Sequence, residues 1–160
     1  MLIIKAIKAD AQEILDLQKL AYLSEAEIYN DFSIQPLRQS LDEIESEIES
    51  HCVLKYVENG KIIGSVRAHI SKGTCYINKL IVHPDFQNKG IGTKLLKEIE
   101  NEFNFAMDFE LFTGHKSLKN LHIYLKSGFE IFKEEKISEA LTLVYMKKRN
   151  RIKNDEHLSG

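Results

Sequence analysis

Apolar and polar positions along this chain change period several times, and each change marks an element. Residues 2–8 alternate and predict a first strand. Asp10-Ala11-Gln12-Glu13 reads as a capping box opening a helix with Ile14, Leu17 and Ala21 on one face. From Ser24 to Pro36 the period lapses into polar and aromatic residues, with Tyr29, Phe32 and the break Ile34-Gln35-Pro36. Ser40 and Glu43 form a second capping box, for a helix whose Leu41, Ile44 and Ile48 recur at helical spacing. Apolar runs over 51–57 and 61–70 flank Glu58-Asn59-Gly60, and Asn-Gly supplies the two positive φ angles of a tight hairpin. A third strand follows Lys72-Gly73 over 74–82, and the next helix carries Ile91, Leu95, Ile99 and Phe103. A strand over 107–113 leads to a short helix with Leu118, Leu121 and Leu125 as its predicted buried face. Gly128 is placed to end that helix as a left-handed cap, and closing strands begin near 129 and 140.

Length and charge narrow the class. A chain of 160 residues fits one domain, expected over 1–148, with a polar, frayed tail over 149–160. A formal charge of −2 and a pI near 6.3 argue against a nucleic-acid partner. The apolar runs fall far short of a membrane span, and Met1-Leu2-Ile3-Ile4-Lys5 does not read as a signal peptide, so the cytoplasm is the expected location, with no membrane partner. Cys52 and Cys75 sit in strand-like runs and give no disulfide framework; buried filler is their expected role. His51, His69, His83, His115, His122 and His157 show no ligand spacing, so no metal is expected. The acidic run from Asp42 to Glu49 reads as a solvated helix face.

The chemistry concentrates in Ile81-Val82-His83-Pro84-Asp85-Phe86-Gln87-Asn88-Lys89-Gly90-Ile91-Gly92-Thr93-Lys94-Leu95-Leu96. A strand runs into a polar turn, and two glycines stand at the mouth of a helix. There, unpaired N–H groups and the positive end of the helix dipole hold anions. Lys94 has no glycine at the spacing of a P-loop, and Leu95 stands where a dinucleotide fingerprint needs its third glycine. The pattern Gln-x-x-Gly-x-Gly after a strand ending Val-His-Pro instead resembles the acetyl-CoA motif of the GNAT superfamily of N-acetyltransferases. Ser117-Leu118-Lys119-Asn120-Leu121-His122-Ile123-Tyr124-Leu125-Lys126-Ser127-Gly128-Phe129 is similar to the second hallmark of that superfamily, a helix ending Tyr-x-Lys-x-Gly-Phe. The two motifs stand in the family's order, and the resemblance covers residues 74–130.

This resemblance implies an α/β fold with a mixed, mostly antiparallel sheet of six to seven strands and about four helices. It implies transfer of an acetyl group from acetyl-CoA, as co-substrate, directly to a primary amine. Backbone N–H groups of Asn88, Lys89, Gly90, Ile91, Gly92, Thr93 and Lys94 would hold the pyrophosphate, with Gln87 matching the motif's first side chain. The pantetheine arm would pair with Leu80, Ile81 and Val82, and an N–H near Val82 would steady the oxyanion. Tyr124 occupies the general-acid position, its alternative being a packed tyrosine, and Asn120 matches a cofactor-bonding position or a surface asparagine. Ser117 reads as an N-cap.

The general base stays open. An amine of pKa ~10.4 is neutral only about once in 2,500 molecules at pH 7, and Tyr76 stands where many relatives carry a glutamate. Asn78 can position water, Glu110 lies on the next strand, and a water chain serves equally well. The acceptor would meet Tyr22, Glu25, Glu27, Tyr29, Asp31 and Phe32, and the substrate-binding candidates are Tyr29, Phe32, Tyr76 and Asn78. Carboxylates among aromatics suit a cationic amine. Small molecule and peptide acceptors both remain open, as do monomer and homodimer. The competing class is a non-catalytic acetyl-CoA-binding regulatory module, which would not need Tyr124.

Overall fold

The computed structural model describes residues 2–151. Seven strands, β1 (Leu2–Lys5), β2 (Cys52–Glu58), β3 (Lys61–Ser71), β4 (Thr74–Val82), β5 (Asp108–Gly114), β6 (Glu130–Lys136) and β7 (Thr142–Arg149), form one sheet in the order β1-β2-β3-β4-β5-β7-β6. Every neighbouring pair is antiparallel except β4 and β5. The helices are α1 (Ala11–Tyr29), α2 (Gln35–Arg38), α3 (Leu41–Ser50), α4 (Ile91–Glu102) and α5 (Leu118–Lys126). Alternation along the strands sends Leu54, Ala68, Cys75, Ile77 and Phe109 to the face that α4 and α5 cover. Val53, Ile62 and Ile81 go to the face under α1 and α3. Gly64 allows α4 to lie close to β3, since a Cβ there would stand 2.9 Å from Leu95 Cδ1 and 3.3 Å from the Ile81 carbonyl.

The one parallel contact is also the shortest in reach. β4 pairs with β5 only where Thr74, Cys75 and Tyr76 face Asp108, Phe109 and Glu110. Past that point β4 carries a bulge: Arg67 faces Asn78 and Ser65 faces Ile81, so Lys79 and Leu80 together oppose Val66. Lys79 takes the left-handed conformation, φ +53°. A bulge bends its strand away from its neighbour, while β5 stays paired with β7 as far as Gly114. The sheet therefore opens between the C-terminal halves of β4 and β5.

Several sequence expectations are met closely. Asn59 and Gly60 take φ +52° and +74° in the β2–β3 turn. Ser40 Oγ accepts from the Glu43 N–H at 3.2 Å while Glu43 Oε1 accepts from the Ser40 N–H at 3.4 Å. Gly128 has φ +97° after α5.

Others are corrected. β1 ends at Lys5, not at residue 8. Asp10 does not cap α1 with its side chain: its carboxylate accepts from the Ile7 N–H at 2.8 Å and pairs with Lys55 at 2.8 Å. Glu13 Oε1 accepts from the Ile62 N–H of β3 at 3.0 Å. α1 continues past Ser24, where the apolar period lapses, to Tyr29 and stops at Asn30, φ 49°, whose N–H bonds the Ala26 and Glu27 carbonyls. The break at Ile34-Gln35-Pro36 lies at the start of the one-turn helix α2. On α5, Leu118 and Leu125 are 72% and 52% exposed, and Tyr124 is the buried residue. Periodicity marks a stripe but not which way it faces; the ties of Ser117 to α1 turn this helix toward Tyr124. Arg149 belongs to β7, and the buried Asn150 amide donates to the Asn104 and Ala106 carbonyls at 2.7 and 2.8 Å, so the fold continues past 148. Met1 and the predicted tail from 152, with His157, lie outside the described residues.

Candidate active site

The β4–α4 turn is built to present bare backbone. Asn88 and Gly90 are left-handed, φ 64° and 78°, with Lys89 between them, and alternating handedness turns successive N–H groups toward one concavity. No side chain caps α4, and its first internal bond runs from the Lys94 N–H to the Gly90 carbonyl at 3.1 Å. The N–H groups of Ile91, Gly92 and Thr93 precede that bond and have no acceptor within the helix. The two glycines do different work. A Cβ on Gly90 would meet nothing within 4 Å, whereas one on Gly92 would touch Ile123 Cδ1 at 3.4 Å and Val82 Cγ2 at 3.8 Å. Gly90 shapes the turn; at Gly92 a Cβ would make ordinary contact with α5 and β4. Gln87 spans the same mouth, its Nε2 donating to the Val82 carbonyl at 3.4 Å and its Oε1 accepting from Lys119 at 3.3 Å. Lys89 lies over the Phe86 ring, 5.3 Å from its centre. Ile81 and Val82 pair with β3 on one side only, and Leu80 and Val82 are half-buried beside the opening. Asn120 is half-buried on α5.

Across the opening stands Tyr124, buried, with its ring 6.1 Å from that of Phe129. Burial first, then Tyr22 and Glu25, push its hydroxyl above the ordinary 10.0, and no hydrogen bond is among the causes. Tyr22 and Glu25 belong to α1, on the opposite face of the sheet.

A chain of hydrogen bonds fixes that arrangement. The Lys116 N–H donates to the Tyr29 hydroxyl at 2.9 Å, Tyr29 and Ser117 Oγ are 2.9 Å apart, and Ser117 Oγ donates to Glu25 Oε2 at 2.5 Å. The Tyr29 oxygen sits directly over Gly114, where a Cβ would lie only 2.0 Å away. Tyr29 is thus a buried latch between α1 and the β5–α5 turn, and Phe32 is 56% exposed beyond the end of α1. Tyr22 and Glu25 are the α1 residues coupled to Tyr124. Gln18, Tyr22, Glu25 and Tyr29 recur at spacings of four, three and four, one face of a single helix, a polar stripe that continues where the apolar period lapses at Ser24.

The strand side of the site is polar. Tyr76, 37% exposed, stands in register with Glu110 and stacks on His69 at 5.4 Å, and His69 stacks on His51 at 4.7 Å. Asn78 is half-buried opposite Arg67. Arg67 is 1% exposed. It donates to Glu47 at 2.6 Å, to Gln39 at 3.1 Å and to Gln18. Burial first, then His69, holds His51 below the ordinary 6.5. Burial pushes the Cys75 thiol up to about 12, so it stays protonated as packing. Among the described residues no group of three or more His, Cys, Asp or Glu is placed to hold a metal ion, and no helix is long and apolar enough to cross a membrane.

The sequence model described as "Acetyltransferase (GNAT) domain" matches residues 17–150. The chain belongs to the GNAT acetyltransferase family. Two Bacillus subtilis (strain 168) proteins are similar in sequence. UPF0157 protein YqkA is 31% identical over 133 residues, 83% of this chain and 38% of that protein, so this GNAT chain spans under half of it. S-(2-succino)cysteine N-acetyltransferase is 27% identical over 91% of this chain and 94% of its own length. The structure of yncA, a putative acetyltransferase from Salmonella typhimurium with its cofactor acetyl-CoA, superposes with a TM-score of 0.74 at 24% identity, covering 94% of each chain. It shares the GNAT fold.

Proposed function

We propose that this GNAT chain moves the acetyl group of acetyl-CoA to a primary amine of a small molecule, by direct attack of the amine. The observation that carries the reading is the opening between β4 and β5, with bare N–H groups at one side and the Tyr124 hydroxyl at the other. The residues present fit acetyl-CoA. A concave turn that no side chain caps matches a pyrophosphate, and a strand edge free beyond Tyr76 matches an extended arm carrying amide groups. When bound, acetyl-CoA supplies the thioester to be attacked. The N–H groups of residues 88–93 bind and orient the phosphates, the expected Lys94 N–H being used within α4, and the free edge at Leu80–Val82 aligns the arm. Tyr124 holds a proton at its hydroxyl, kept there by burial, and can deliver it to a departing thiolate. A neutral phenol beside bare backbone is what an acyl transfer needs and a mere binding module does not.

The similar protein named S-(2-succino)cysteine N-acetyltransferase supports a small-molecule acceptor. The test is a screen of small amines, polyamines, amino acids and peptides, reading free thiol release from acetyl-CoA. Turnover of a small amine is expected, and Tyr124→Phe should lower kcat by roughly 10²- to 10⁴-fold with acetyl-CoA affinity unchanged. Acetyl-CoA binding without turnover of any acceptor would favour the regulatory module.

A further inference from the structure

The wall of the site opposite Tyr124 holds a concentration of hydrogen-bond donors that the fold itself does not use. Buried side-chain polar atoms in folded proteins nearly always find partners. Among the described residues the exceptions are Arg67 Nε, His69 Nδ1 and His51 Nδ1. They are neighbours: Arg67 and His69 share one face of β3, and His51 stacks on His69. Arg67 Nε is a permanent donor, and imidazole Nδ1 can be one.

Lys79 completes this wall. It is the bulged residue at the point where β4 leaves β5, half-buried, and its backbone is held at φ +53°. An L-residue with a long side chain rarely adopts that conformation, and bulges re-aim a side chain toward a site. Lys79 follows Asn78, which faces Arg67 across the β3–β4 pair, and the charges of Arg67, Glu47 and Glu43 all bear on it. Glu47 is already paired with Arg67 at 2.6 Å, and Glu43 is engaged in the α3 cap. Among the described residues no carboxylate lies within ion-pairing distance of Lys79.

The Tyr22 side chain links this wall to the reaction centre. It stands on α1 between Gln18, which accepts from Arg67, and Glu25, which accepts from Ser117, and both Tyr22 and Glu25 act on Tyr124. One stripe of α1 therefore runs from Gln18, bonded to Arg67, to Glu25, bonded to Ser117 at the start of the Tyr124 helix. A ligand whose amine lies toward Glu25 and whose anionic group lies toward Lys79 satisfies both ends.

Building on the acetyl-transfer reading above, we propose that the acceptor is a free amino acid, with Lys79, backed by Arg67, binding its carboxylate while Glu25 faces its amine. Lys79 is the contacting residue; Arg67 is a positioning residue that keeps the wall positive and holds α1 and α3 against β3 through Gln18, Gln39 and Glu47.

The experiment compares amino acids with their decarboxylated counterparts, each kcat/KM divided by the neutral fraction of its amine, because the carboxylate also lowers the amine pKa. S-(2-succino)cysteine, L-methionine and L-leucine are each run against their decarboxylated counterparts, S-(2-succino)cysteamine, 3-(methylthio)propylamine and isopentylamine, with free thiol release as readout. At least one amino acid should exceed its counterpart in kcat/KM by roughly 10- to 100-fold, the worth of a charge-assisted hydrogen bond. In Lys79→Met that ratio should collapse toward one, and Lys79→Arg should restore most of it. Thermal shift of the CoA-saturated protein with N-acetylmethionine, against N-acetyl-3-(methylthio)propylamine, gives a readout besides turnover and should show the same preference. If the amines are acetylated as well as the amino acids, or the preference survives in folded Lys79→Met, the carboxylate site is wrong and acetyl transfer stands. If neither set is acetylated although acetyl-CoA binds, both readings fall.

Discussion

Gly114→Ala offers a clean test of the latch that sets Glu25 across from Tyr124. Gly114 does not have a positive φ, so any L-residue can adopt its backbone conformation and the cost of a side chain is steric. A Cβ there would lie 2.0 Å from the Tyr29 hydroxyl, 2.5 Å from Cζ and 3.1 Å from Cε2. The ring cannot swing aside cheaply, because Tyr29 is 6% exposed and its hydroxyl is bonded to Ser117 and to the Lys116 N–H at 2.9 Å each. Overpacking of this kind costs about 1–3 kcal/mol, and two hydrogen bonds are lost at about 1 kcal/mol each. The sum, about 3–5 kcal/mol, corresponds to a fall in Tm of roughly 6–20 °C for a domain of this size. Thermal and urea unfolding followed by circular dichroism measure it. Tyr29→Ala alone should cost about 3–5 kcal/mol as a cavity, yet Gly114→Ala added to it should cost almost nothing, because the clashing ring is gone. A Gly114→Ala protein that melts within a degree of the parent would refute the latch. So would a double variant in which the two costs simply add.

Gly90→Val places a branched side chain in a left-handed position, φ +78°, facing open space before α4. The free protein should fold with modest destabilisation while its thermal stabilisation by acetyl-CoA disappears; an unchanged acetyl-CoA shift would show that the phosphates bind elsewhere. Because burial raises the Tyr124 hydroxyl above 10.0, the acid remains protonated through the neutral and mildly alkaline range. The kcat profile should therefore show no alkaline loss below about pH 10, and a descending limb near pH 8 that Tyr124→Phe leaves in place would assign the proton to another group. His51 is depressed below 6.5 in the fold, so below that pH the unfolded chain takes up a proton that the folded chain resists, and stability falls with falling pH. Urea midpoints at about pH 7.5 and about pH 5.5 should differ less in His51→Phe, which keeps the stacked ring but cannot titrate; an identical pH dependence would exclude His51 as a contributor.

The elements that were legible in the sequence are those whose cause is local. Asn59-Gly60 makes its turn because these two residues tolerate positive φ at little steric cost. Ser40 and Glu43 cap α3 because their side chains reach only their own backbone. The glycine mouth of α4 was legible for the same reason, since a turn followed by unpaired N–H groups is a property of adjacent residues. With the Tyr124 helix, it was enough to identify the family and its cofactor end.

What the tertiary structure decided is the acceptor side, where every relation is between distant segments. The opening between β4 and β5 depends on a bulge at Lys79, and a bulge is visible only against its partner strand. The polar ends of Gln18, Tyr22, Glu25 and Tyr29 look like loop chemistry in one dimension. They become the inner stripe of α1 only because Ser117, Arg67 and the Lys116 N–H satisfy them across the fold. Leu118 and Leu125 mark an apolar stripe, yet the ties at Ser117 turn it outward and Tyr124 inward. Local sequence set turns, caps and the anion-binding helix mouth, because their energies are complete within a few residues. Which side chains meet across the open sheet was set by burial and hydrogen bonding between segments up to 92 residues apart, because a polar group in the interior must find its partner wherever the fold brings one.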